Sequence, residues 1–371
     1  MKHFYHFGTA GFALTLAGAL AGCGSDNPTT STNSPASSTD TSTNTVSGDA
    51  PATATGAKQL TGAGATFPAP LYTRWFDSYN EKSGVQINYQ AVGSGAGIKQ
   101  LVSKTVDFGA SDAPLGSKDI KALPAPVATI PTVGGAVVLA YNLPGAPAGL
   151  KMTGETVANI FLGKIKKWND PAIAATNAGV TLPTNNIVVA RRSDGSGTTD
   201  IFTKYLAAVS PEWKTKVGAG KSVEWPVGIG GKGNDGVAAS IKQAVGGFGY
   251  VELAYAKQNK LPYASIKNKA GQFVAPDVAG VTAAAEGSLA AVQKDITAPI
   301  ANAAGAKAYP ISGFTYIMVY KTAPNPEKGA AVKEFLKWAM TDGQKDAAAL
   351  DYAPLPSALV SLNQKTIDAL K

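Results

Sequence analysis

Histidine and cysteine are almost absent from this sequence of 371 residues. The two histidines, His3 and His6, and the one cysteine, Cys23, all lie near the amino terminus. If that segment is removed, the remaining chain has neither an imidazole nor a thiol. Catalysis by Ser-His-Asp or Cys-His groups, zinc sites made of Cys and His, and internal disulfides are then excluded.

Charged residues are also scarce, and the motifs of two common enzyme classes are missing. Only 16% of the residues are charged, against about 25% in typical globular proteins. Neither G-x-S-x-G nor G-x-x-x-x-G-K-S/T occurs. An enzyme built on this chain would have to use carboxylates, lysines or a metal held by oxygen ligands, and no cluster of carboxylates suits such a metal.

The length and charge balance bound the remaining possibilities. The chain is long enough for about two domains, and 44% of its residues are hydrophobic, which suffices for large cores. The formal net charge of +8 comes from lysines scattered along the chain rather than from a basic run. We interpret this charge as a contribution to solubility and surface potential, and expect no binding of nucleic acid.

The amino-terminal segment, residues 1–22, has the features of a targeting sequence. Its apolar run, Phe7–Leu20, is too short to span a membrane. The following Leu20-Ala21-Gly22-Cys23 resembles the bacterial lipobox, in which the cysteine is lipidated and becomes the first mature residue. The alternative is an ordinary signal peptide with an incidental cysteine. Residues 23–58 are rich in Ser, Thr, Asn and Pro, which predicts a disordered tether.

From about Gln59 onward, apolar patterns predict strands that alternate with helices, which favours an α/β fold. Strands are predicted at Val85–Val92, Val106–Asp112, Val133–Tyr141, Ile187–Val189 and Phe314–Tyr320, and helices at 71–79, 98–103, 156–162, 201–206, 237–244 and 330–340. Glycine and small polar residues follow three early strands, as in α/β folds that bind ligands at the carboxyl ends of their strands. The segment Lys164–Trp168 is predicted to be an exposed basic turn, and 272–308 a strand pair with a helix.

The segment Ala190–Thr199, A-R-R-S-D-G-S-G-T-T, carries the clearest chemical signal. Its glycines allow a sharp turn, and the helix that follows presents N–H groups and a positive dipole end to an anion. The hydroxyls and one of the two arginines, Arg191 or Arg192, add hydrogen-bond donors. The pattern predicts an oxyanion-binding turn between a strand and a helix. The alternative is a surface loop closed by an Arg–Asp pair.

A second glycine-rich segment, Gly231–Gly236, matches G-x-G-x-x-G but lacks the context of a dinucleotide site. No clear strand precedes it, and no acidic residue stands out about twenty positions later. We interpret it as a glycine turn capped by Asn234 before a helix over Val237–Ala244.

Four segments together resemble one family, the phosphate-binding lipoproteins and periplasmic proteins of the bacterial high-affinity phosphate ABC transporter. They are Thr61–Tyr72 (T-G-A-G-A-T-F-P-A-P-L-Y), Val106–Leu115 (V-D-F-G-A-S-D-A-P-L), Arg191–Thr199 and Trp225–Gly236. The resemblance covers Gln59 to about Ser357 in order. It implies a type II periplasmic-binding-protein fold, in which two α/β lobes joined by two hinge crossings close over a central ligand cleft.

The resemblance also implies a division of the chain. Val133–Tyr141 and Tyr309–Tyr320 become the crossings between the lobes. Lobe I then comprises residues 59–135 and 315–371, and lobe II comprises residues 136–314. The expected partners are inorganic phosphate, the permease subunits of an ABC transporter with their ATPase, and a membrane reached through the lipid on Cys23. The expected location is extracytoplasmic, and the expected state is a monomer.

The family's phosphate contacts fall on residues in four turns of this sequence. They are Thr66, Phe67, Ser94, Asp112, Arg192, Ser196, Gly197 and Thr198. Asp194 matches a residue that pairs with the arginine and orients it. The residue pattern alone does not choose between Arg191 and Arg192, whereas the resemblance selects Arg192. Taken singly, Asp112 could instead form a turn at the end of a strand, and Ser94 could cap a helix.

The resemblance implies a protein that is not an enzyme and has no cofactor and no metal. The implied function is phosphate binding and delivery to the importer, with Asp112 accepting a hydrogen bond from the proton that phosphate carries. Sulfate has no such proton at neutral pH, so the carboxylate would repel it. Arsenate shares the chemistry of phosphate and stays an alternative ligand. A binding protein for sulfate and a secreted phosphatase-like enzyme are the further alternatives.

Overall fold

The computed structural model describes residues 56–371. The predicted targeting segment, the lipobox with Cys23, and almost all of the predicted tether lie outside the described residues. Within the described range no helix is both long enough and apolar enough to cross a bilayer.

The described residues form α-helices, one short 3-10 turn, and strands that assemble into a large mixed sheet and a small one. The strands are β1 (Gln59–Gly64), β2 (Gln86–Gln90), β3 (Phe108–Ser111), β4 (Val127–Asn142), β5 (Lys151–Met152), β6 (Val188–Arg192), β7 (Ile229–Gly231), β8 (Gly247–Glu252), β9 (Ser265–Lys267), β10 (Phe273–Val274) and β11 (Ser312–Tyr320). The helices are α1 (Ala69–Ser83), α2 (Ser94–Val102), α3 (Ser117–Ala122), α4 (Gly154–Phe161), α5 (Pro171–Ala174), α6 (Gly197–Val209), α7 (Pro211–Lys216), α8 (Gly233–Gln243), α9 (Leu253–Gln258), α10 (Val278–Gly287), α11 (Leu289–Lys294), α12 (Pro326–Ala339), α13 (Asp342–Ala347) and α14 (Ser357–Asp368).

The large sheet has the strand order β2-β1-β3-β11-β4-β8-β6-β7, and β4 links its two halves. The first part of β4, up to Ala136, pairs antiparallel with β11. Its second part, from Val137 to Asn142, pairs antiparallel with β8. We call β2-β1-β3-β11 with the first part of β4 the first half-sheet, and the second part of β4 with β8-β6-β7 the second half-sheet.

Each half-sheet contains parallel strands whose carboxyl ends carry the turns of interest. In the first, β1 runs parallel to both β2 and β3. In the second, β6 runs parallel to both β7 and β8. Parallel strands followed by helices place the loops after the strands on one edge of a sheet, where ligands of α/β proteins bind. The two half-sheets therefore each offer one such edge.

The long apolar runs of the sequence form β4 and β11, two central strands of the large sheet. All nine residues of β11 are buried, and β4 is buried from Ala128 to Tyr141 apart from Thr129. A strand buried on both faces reads as a continuous hydrophobic run rather than an alternating one. The predicted strands Val133–Tyr141 and Phe314–Tyr320 are thus confirmed, and β4 extends the first of them by six residues toward its amino end.

A separate aromatic cluster packs beside each half-sheet. In α1, the residues spaced by three and four, Tyr72, Trp75, Phe76 and Tyr79, are buried and form one face, as the sequence predicts. They pack against Phe335 and Trp338 of α12 and against Tyr89 and Phe108. Beside the second half-sheet, the rings of Phe161, Phe202, Trp225 and Tyr250 pack together. Aromatic side chains bury large areas, so these two clusters supply much of the continuous hydrophobic core on either side of the molecule.

Several local predictions need correction. The segment Lys164–Trp168 is not simply an exposed turn, because Ile165 and Trp168 are buried while its lysines are exposed. The indole nitrogen of Trp168 donates a 3.0 Å hydrogen bond to Gly246 O. Apolar residues stand between the lysines in this segment. The number of charges alone therefore predicts exposure and does not reveal that one side of the turn is buried. In 272–308 one strand, β10, pairs with β9, which lies before that segment, and two helices follow.

Candidate functional site

The turn after β6 meets the start of α2, so the two half-sheets touch at their strand ends. The backbone N–H of Gly197 donates a 3.0 Å hydrogen bond to Ser94 Oγ. Beside it, the N–H of Gly95 donates a 2.8 Å bond to Gly195 O. Gly93 has φ 95°, and a Cβ there would lie 2.2 Å from Asp194 Oδ2. A side chain at Gly93 would therefore separate the two turns, which gives a physical reason for glycine there.

The structure contradicts one of the two alternatives for Ser94, the helix cap. Ser94 is the first residue of α2, after the N-cap position of Gly93, and no side chain caps this helix. Its hydroxyl oxygen accepts a hydrogen bond from the other half of the molecule instead. The reading of Ser94 as a helix cap is therefore wrong.

Arg192 and Asp194 form a two-point ion pair within the turn after β6. Nε of Arg192 lies 2.7 Å from Asp194 Oδ1, and Nη2 lies 2.6 Å from Oδ2. The Arg192 side chain is only 1% exposed, whereas Ser193 in the same turn is exposed, so the ion pair lies on the buried side of the turn. Burial would raise the pKa of Asp194, but the hydrogen bonds and charge of Arg192, with the N–H of Gly233, hold that pKa below its usual value.

The remaining donors of the turn lie at the start of α6. Ser196 is the N-cap residue of this 13-residue helix, and its Oγ accepts a 3.0 Å bond from the N–H of Thr199. Nη1 of Arg192 donates a 3.2 Å bond to Thr198 Oγ1. Ser196 and Thr198 are fully buried. The positive end of the α6 dipole, the guanidinium and these hydroxyls are thus close together and shielded from water.

Asp112 follows β3 and lies against the start of α6. Its Oδ1 accepts a 2.8 Å hydrogen bond from Thr315 Oγ1 of β11. The local turn is made by its neighbour, because Ser111 Oγ accepts from the N–H of Ala113 at 3.0 Å. The reading of Asp112 as a mere turn former is therefore wrong. Burial raises the pKa of Asp112 to about 7, although the Thr315 hydrogen bond and the charge of Arg192 act to lower it.

Thr66 and Phe67 follow β1 and are held by tyrosines. Tyr255 OH donates a 2.6 Å hydrogen bond to Thr66 O, and Tyr352 OH donates a 2.7 Å bond to Phe67 O. Both residues are buried. With their carbonyls bound to these hydroxyls, the turn has one defined orientation. The structure therefore brings turns carrying Thr66, Ser94, Asp112 and Arg192 to a common region between the half-sheets.

Asn234 is predicted from the sequence as a helix cap, but the structure places it inside the helix. The residue before α8 is Lys232, and Asn234 is the second residue of the helix. Its Nδ2 lies 2.9 Å from Thr66 Oγ1 and 3.2 Å from Thr198 Oγ1. A strand, β7, also precedes this glycine segment, contrary to the sequence-based expectation. A glycine-rich turn between a strand and a helix is itself the signal that could have found the site.

Glu252 is a second buried residue that sequence patterns did not single out. It ends β8, and its Oε2 accepts a 2.8 Å bond from the N–H of Ala254 and lies 3.1 Å from Tyr352 OH. Its Oε1 has no partner among the described residues. Burial raises the pKa of Glu252 well above its usual value, because a buried carboxylate loses its hydration.

The assembled groups suit a small tetrahedral anion. Hydroxyls, a guanidinium and a helix amino terminus supply donors, while one buried carboxyl, Asp112, can accept a hydrogen bond. Among residues 56–371, no group of three or more His, Cys, Asp or Glu side chains is placed to hold a metal ion.

Comparison with known proteins gives one family model and many relatives. Residues 49–343 match the model described as "PBP superfamily domain". The chain is 47% identical over 307 residues to the phosphate-binding protein PstS of Pasteurella multocida, with 82% of this chain and 89% of that protein covered. It is 44% identical over 361 residues to the phosphate-binding protein PstS of Xylella fastidiosa strain Temecula1, with 96% of both chains covered.

Two solved structures show the same architecture at lower identity. A high-affinity periplasmic phosphate-binding protein (PfluDING) bound with phosphate gives a TM-score of 0.65 at 23% identity, covering 83% of this chain and 93% of that one. A phosphate-binding protein from Stenotrophomonas maltophilia gives 0.63 at 21% identity, with the same coverage. These likenesses concern the fold, and with them the predicted two-lobed α/β architecture with a central cleft is confirmed.

Proposed function

The chain belongs to the PBP superfamily and, within it, to the family of the phosphate-binding proteins PstS, and from this premise we propose that it binds inorganic phosphate outside the cytoplasm and delivers it to an ABC-type importer. The family resemblance stated from the sequence is thereby confirmed. The relatives are named as binding proteins, which supports a transport role and no enzymatic activity.

The observation that carries the proposal is the meeting of two donor-rich turns around one buried carboxyl. Ser94 Oγ and the N–H of Gly197 join the turns at 3.0 Å, and Asp112 lies directly against Gly197. We propose that phosphate binds here, where it replaces Ser94 Oγ as the acceptor of the Gly197 N–H, with contacts from Thr66, Phe67, Ser94, Asp112, Arg192, Ser196, Gly197 and Thr198. Asp194 supports the site by fixing the Arg192 guanidinium through two hydrogen bonds.

Selectivity in this proposal rests on the proton that phosphate carries. An ionised Asp112 accepts a hydrogen bond from a protonated phosphate oxygen. Sulfate offers the same carboxylate no proton, so two like charges would face each other in a buried site, at a cost of several kcal/mol. Arsenate carries a proton as phosphate does, and we propose that the site accepts it as well.

The division into lobes follows from the sheet. We propose that lobe I comprises residues 59–135 and 315–371 and that lobe II comprises residues 136–314. In support, β4 pairs with β11 in the first half-sheet and with β8 in the second. A continuous strand shared by two sheets gives a hinge about which the lobes can open and close.

We further propose that the protein is a monomer anchored through a lipid on Cys23, with residues 23–58 as a tether to the membrane. A flexible tether would let the folded part reach a transporter in the same membrane. Replacement of Cys23 by Ser tests the anchor: the variant should leave the membrane fraction. If Cys23→Ser stays in the membrane fraction as fully as the parent protein, the lipid anchor is wrong.

Calorimetric titration of the full chain in detergent with phosphate, sulfate and arsenate tests the function. We expect one phosphate site, competition by arsenate and no heat from sulfate. A protein that binds sulfate and not phosphate would support the sulfate alternative, and one that binds neither would overturn the proposal. An assay with a generic phosphomonoester distinguishes a binding protein from a phosphatase-like enzyme. Sustained release of phosphate from that substrate would contradict a pure binding role.

A further inference from the structure

Asn234 is fully buried and contacts both sides of the proposed cleft. Its backbone N–H and its Nδ2 both donate to Thr66 Oγ1, at 3.2 Å and 2.9 Å. The same Nδ2 donates to Thr198 Oγ1 at 3.2 Å. Thr66 follows a strand of the first half-sheet and Thr198 follows a strand of the second. One amide nitrogen therefore joins a hydroxyl from each half of the molecule.

The orientation of this amide is fixed from its other end. Oδ1 of Asn234 accepts a 2.9 Å hydrogen bond from the N–H of Glu252. A backbone N–H can only donate, so the atom that faces it must be the amide oxygen. The NH₂ group therefore faces the two threonines, and it can only donate to them.

Counting donors and acceptors shows what this does to the hydroxyls. A hydroxyl oxygen has two lone pairs and one hydrogen. Thr66 Oγ1 accepts two hydrogen bonds from Asn234, and Thr198 Oγ1 accepts one from Arg192 and one from Asn234. Both lone pairs of each oxygen are occupied. Neither hydroxyl hydrogen has an acceptor among residues 56–371, so each is left to donate to a ligand.

We propose that Asn234 is a positioning residue of the anion site, which commits the hydroxyls of Thr66 and Thr198 to donating. The inference rests on the proposed function, since it assumes that the anion binds where these hydroxyls lie. A hydroxyl that is free to rotate loses rotational entropy when it binds an anion. A hydroxyl whose two lone pairs already accept hydrogen bonds has lost that entropy before the anion arrives. The amide thus favours binding without touching the anion.

The sharpest variant is Asn234→Asp, which keeps the shape and reverses the hydrogen bonding. A carboxylate only accepts, so both threonine hydrogens would turn toward it and away from the ligand. The variant also places a like charge near the anion. We expect phosphate affinity to fall about 100-fold or more relative to the parent protein, because two hydrogen bonds to a charged ligand are lost. The loss should shrink as the pH falls, since a protonated carboxyl is neutral and can donate once.

A double-mutant cycle separates positioning from a purely structural role. Asn234→Ala is made in the parent protein, in Thr66→Val and in Thr198→Val, and phosphate affinity is measured by calorimetry in the full chain. If Asn234 acts through the hydroxyls, its removal costs less affinity in each valine background than in the parent. Equal costs in all three backgrounds would overturn the proposal.

A matched control is Asn268→Asp, a buried amide in the turn between β9 and β10. Its Nδ2 donates to the carbonyls of Gly305, Ala306 and Ala308, and its Oδ1 accepts from two backbone N–H groups. We expect lower thermal stability and unchanged phosphate affinity. A parent protein that binds no phosphate would overturn the proposed function itself. A parent that binds, with Asn234→Asp binding equally well at every pH, would overturn the positioning role alone.

Discussion

The Asp112 side chain lies directly against Gly197, the first residue of α6. A Cβ on Gly197 would fall 2.6 Å from Oδ2 of Asp112 and 2.6 Å from its backbone nitrogen. Real Cβ atoms do not approach other heavy atoms that closely, and the backbone nitrogen cannot rotate away. The missing side chain at Gly197 is what allows a strand end of the first half-sheet to touch a helix start of the second.

Replacement of Gly197 by Ala is therefore expected to hold the two halves apart. The added methyl group would have to displace β3 or α6 by several tenths of an ångström, and the donors from the two sides would no longer converge. We expect phosphate affinity to fall at least tenfold and overpacking to cost about 1–3 kcal/mol of stability. Gly116→Ala is a control, because a Cβ there meets its nearest neighbour at 3.5 Å. Unchanged affinity in Gly197→Ala would contradict the contact.

Asp112→Asn tests whether the proposed site separates phosphate from sulfate through this carboxyl. An amide in place of the carboxyl removes the like charge that opposes sulfate, and its NH₂ group can donate to an unprotonated oxygen. We expect weaker phosphate binding and a clear gain in relative sulfate affinity. Calorimetric titration of both proteins with both anions measures the ratio. Equal phosphate-to-sulfate ratios would show that Asp112 does not confer the selectivity.

The same residue makes the stability of the unligated protein depend on pH. Burial is the main cause that raises the pKa of Asp112 to about 7, whereas an aspartate in an unfolded chain has a pKa of about 4. Between these values the folded protein keeps a proton that the unfolded chain has released. The free energy of unfolding therefore falls as the pH rises from about 4 to about 7, by on the order of 1–4 kcal/mol from this group.

Urea unfolding of the parent and of Asp112→Asn at several pH values measures this contribution. The comparison is needed because Glu252, whose pKa is also raised by burial, acts in the same direction. We expect the variant to lose less stability across the range, since asparagine does not titrate. Parallel curves for the two proteins would mean that Asp112 is not held protonated in the folded state.

The turns around the site were predictable because their signals are local. Each of these turns lies where an apolar run is followed by glycine and by residues with a hydroxyl group, as at Gly195 and Ser196 after β6. The central strands were predictable because burial on both faces leaves an unbroken apolar run, as in β11. The sequence predicts α2 and α8 to begin several residues later than they do in the structure. Their first turns contain glycine, which has low helix propensity.

Contacts between distant residues were beyond the sequence patterns. Asn234 binds Thr66, which lies 168 positions earlier, and Tyr352 binds Phe67 across 285 positions. Periodicity describes which face of an element is apolar, and it contains nothing about which polar groups meet across a cleft. Sequence patterns therefore predict Asn234 only as a cap of the neighbouring helix, and they single out neither Glu252 nor Tyr352.

The two neighbouring arginines should differ strongly in their effect on binding. Arg192 is buried and bound to Asp194 and Thr198, whereas Arg191 is half-buried and its Nη1 donates only to Arg192 O at 3.2 Å. We expect Arg192→Ala to lower phosphate affinity by about 10- to 100-fold, the value of one charged hydrogen bond. Arg191→Ala should change it less than threefold. Calorimetry measures the phosphate affinity of both variants. A larger loss of affinity in Arg191→Ala than in Arg192→Ala would contradict the assignment of Arg192.

An ion pair between Lys221 and Asp119 joins a loop that follows α7 to helix α3, across the proposed cleft. The carbonyl of Lys221 also accepts a 2.9 Å bond from the N–H of Ser196, so this residue connects the turn after β6 to α3, which lies in the proposed lobe I. Breaking the pair should favour the open form. Lys221→Met keeps the length of the side chain and removes its charge.

We expect Lys221→Met to release phosphate faster, by up to about fivefold, because partly exposed ion pairs contribute about 0.2–1 kcal/mol. The difference from the parent protein should shrink in high salt, which screens the pair in the parent. Stopped-flow release into an excess of a phosphate-binding competitor measures the rate. Lys164→Met is the matched control, since Lys164 pairs with Glu212 within the proposed lobe II and should release phosphate at the parental rate. Equal rates for parent and Lys221→Met at low salt would show that closure does not depend on this pair.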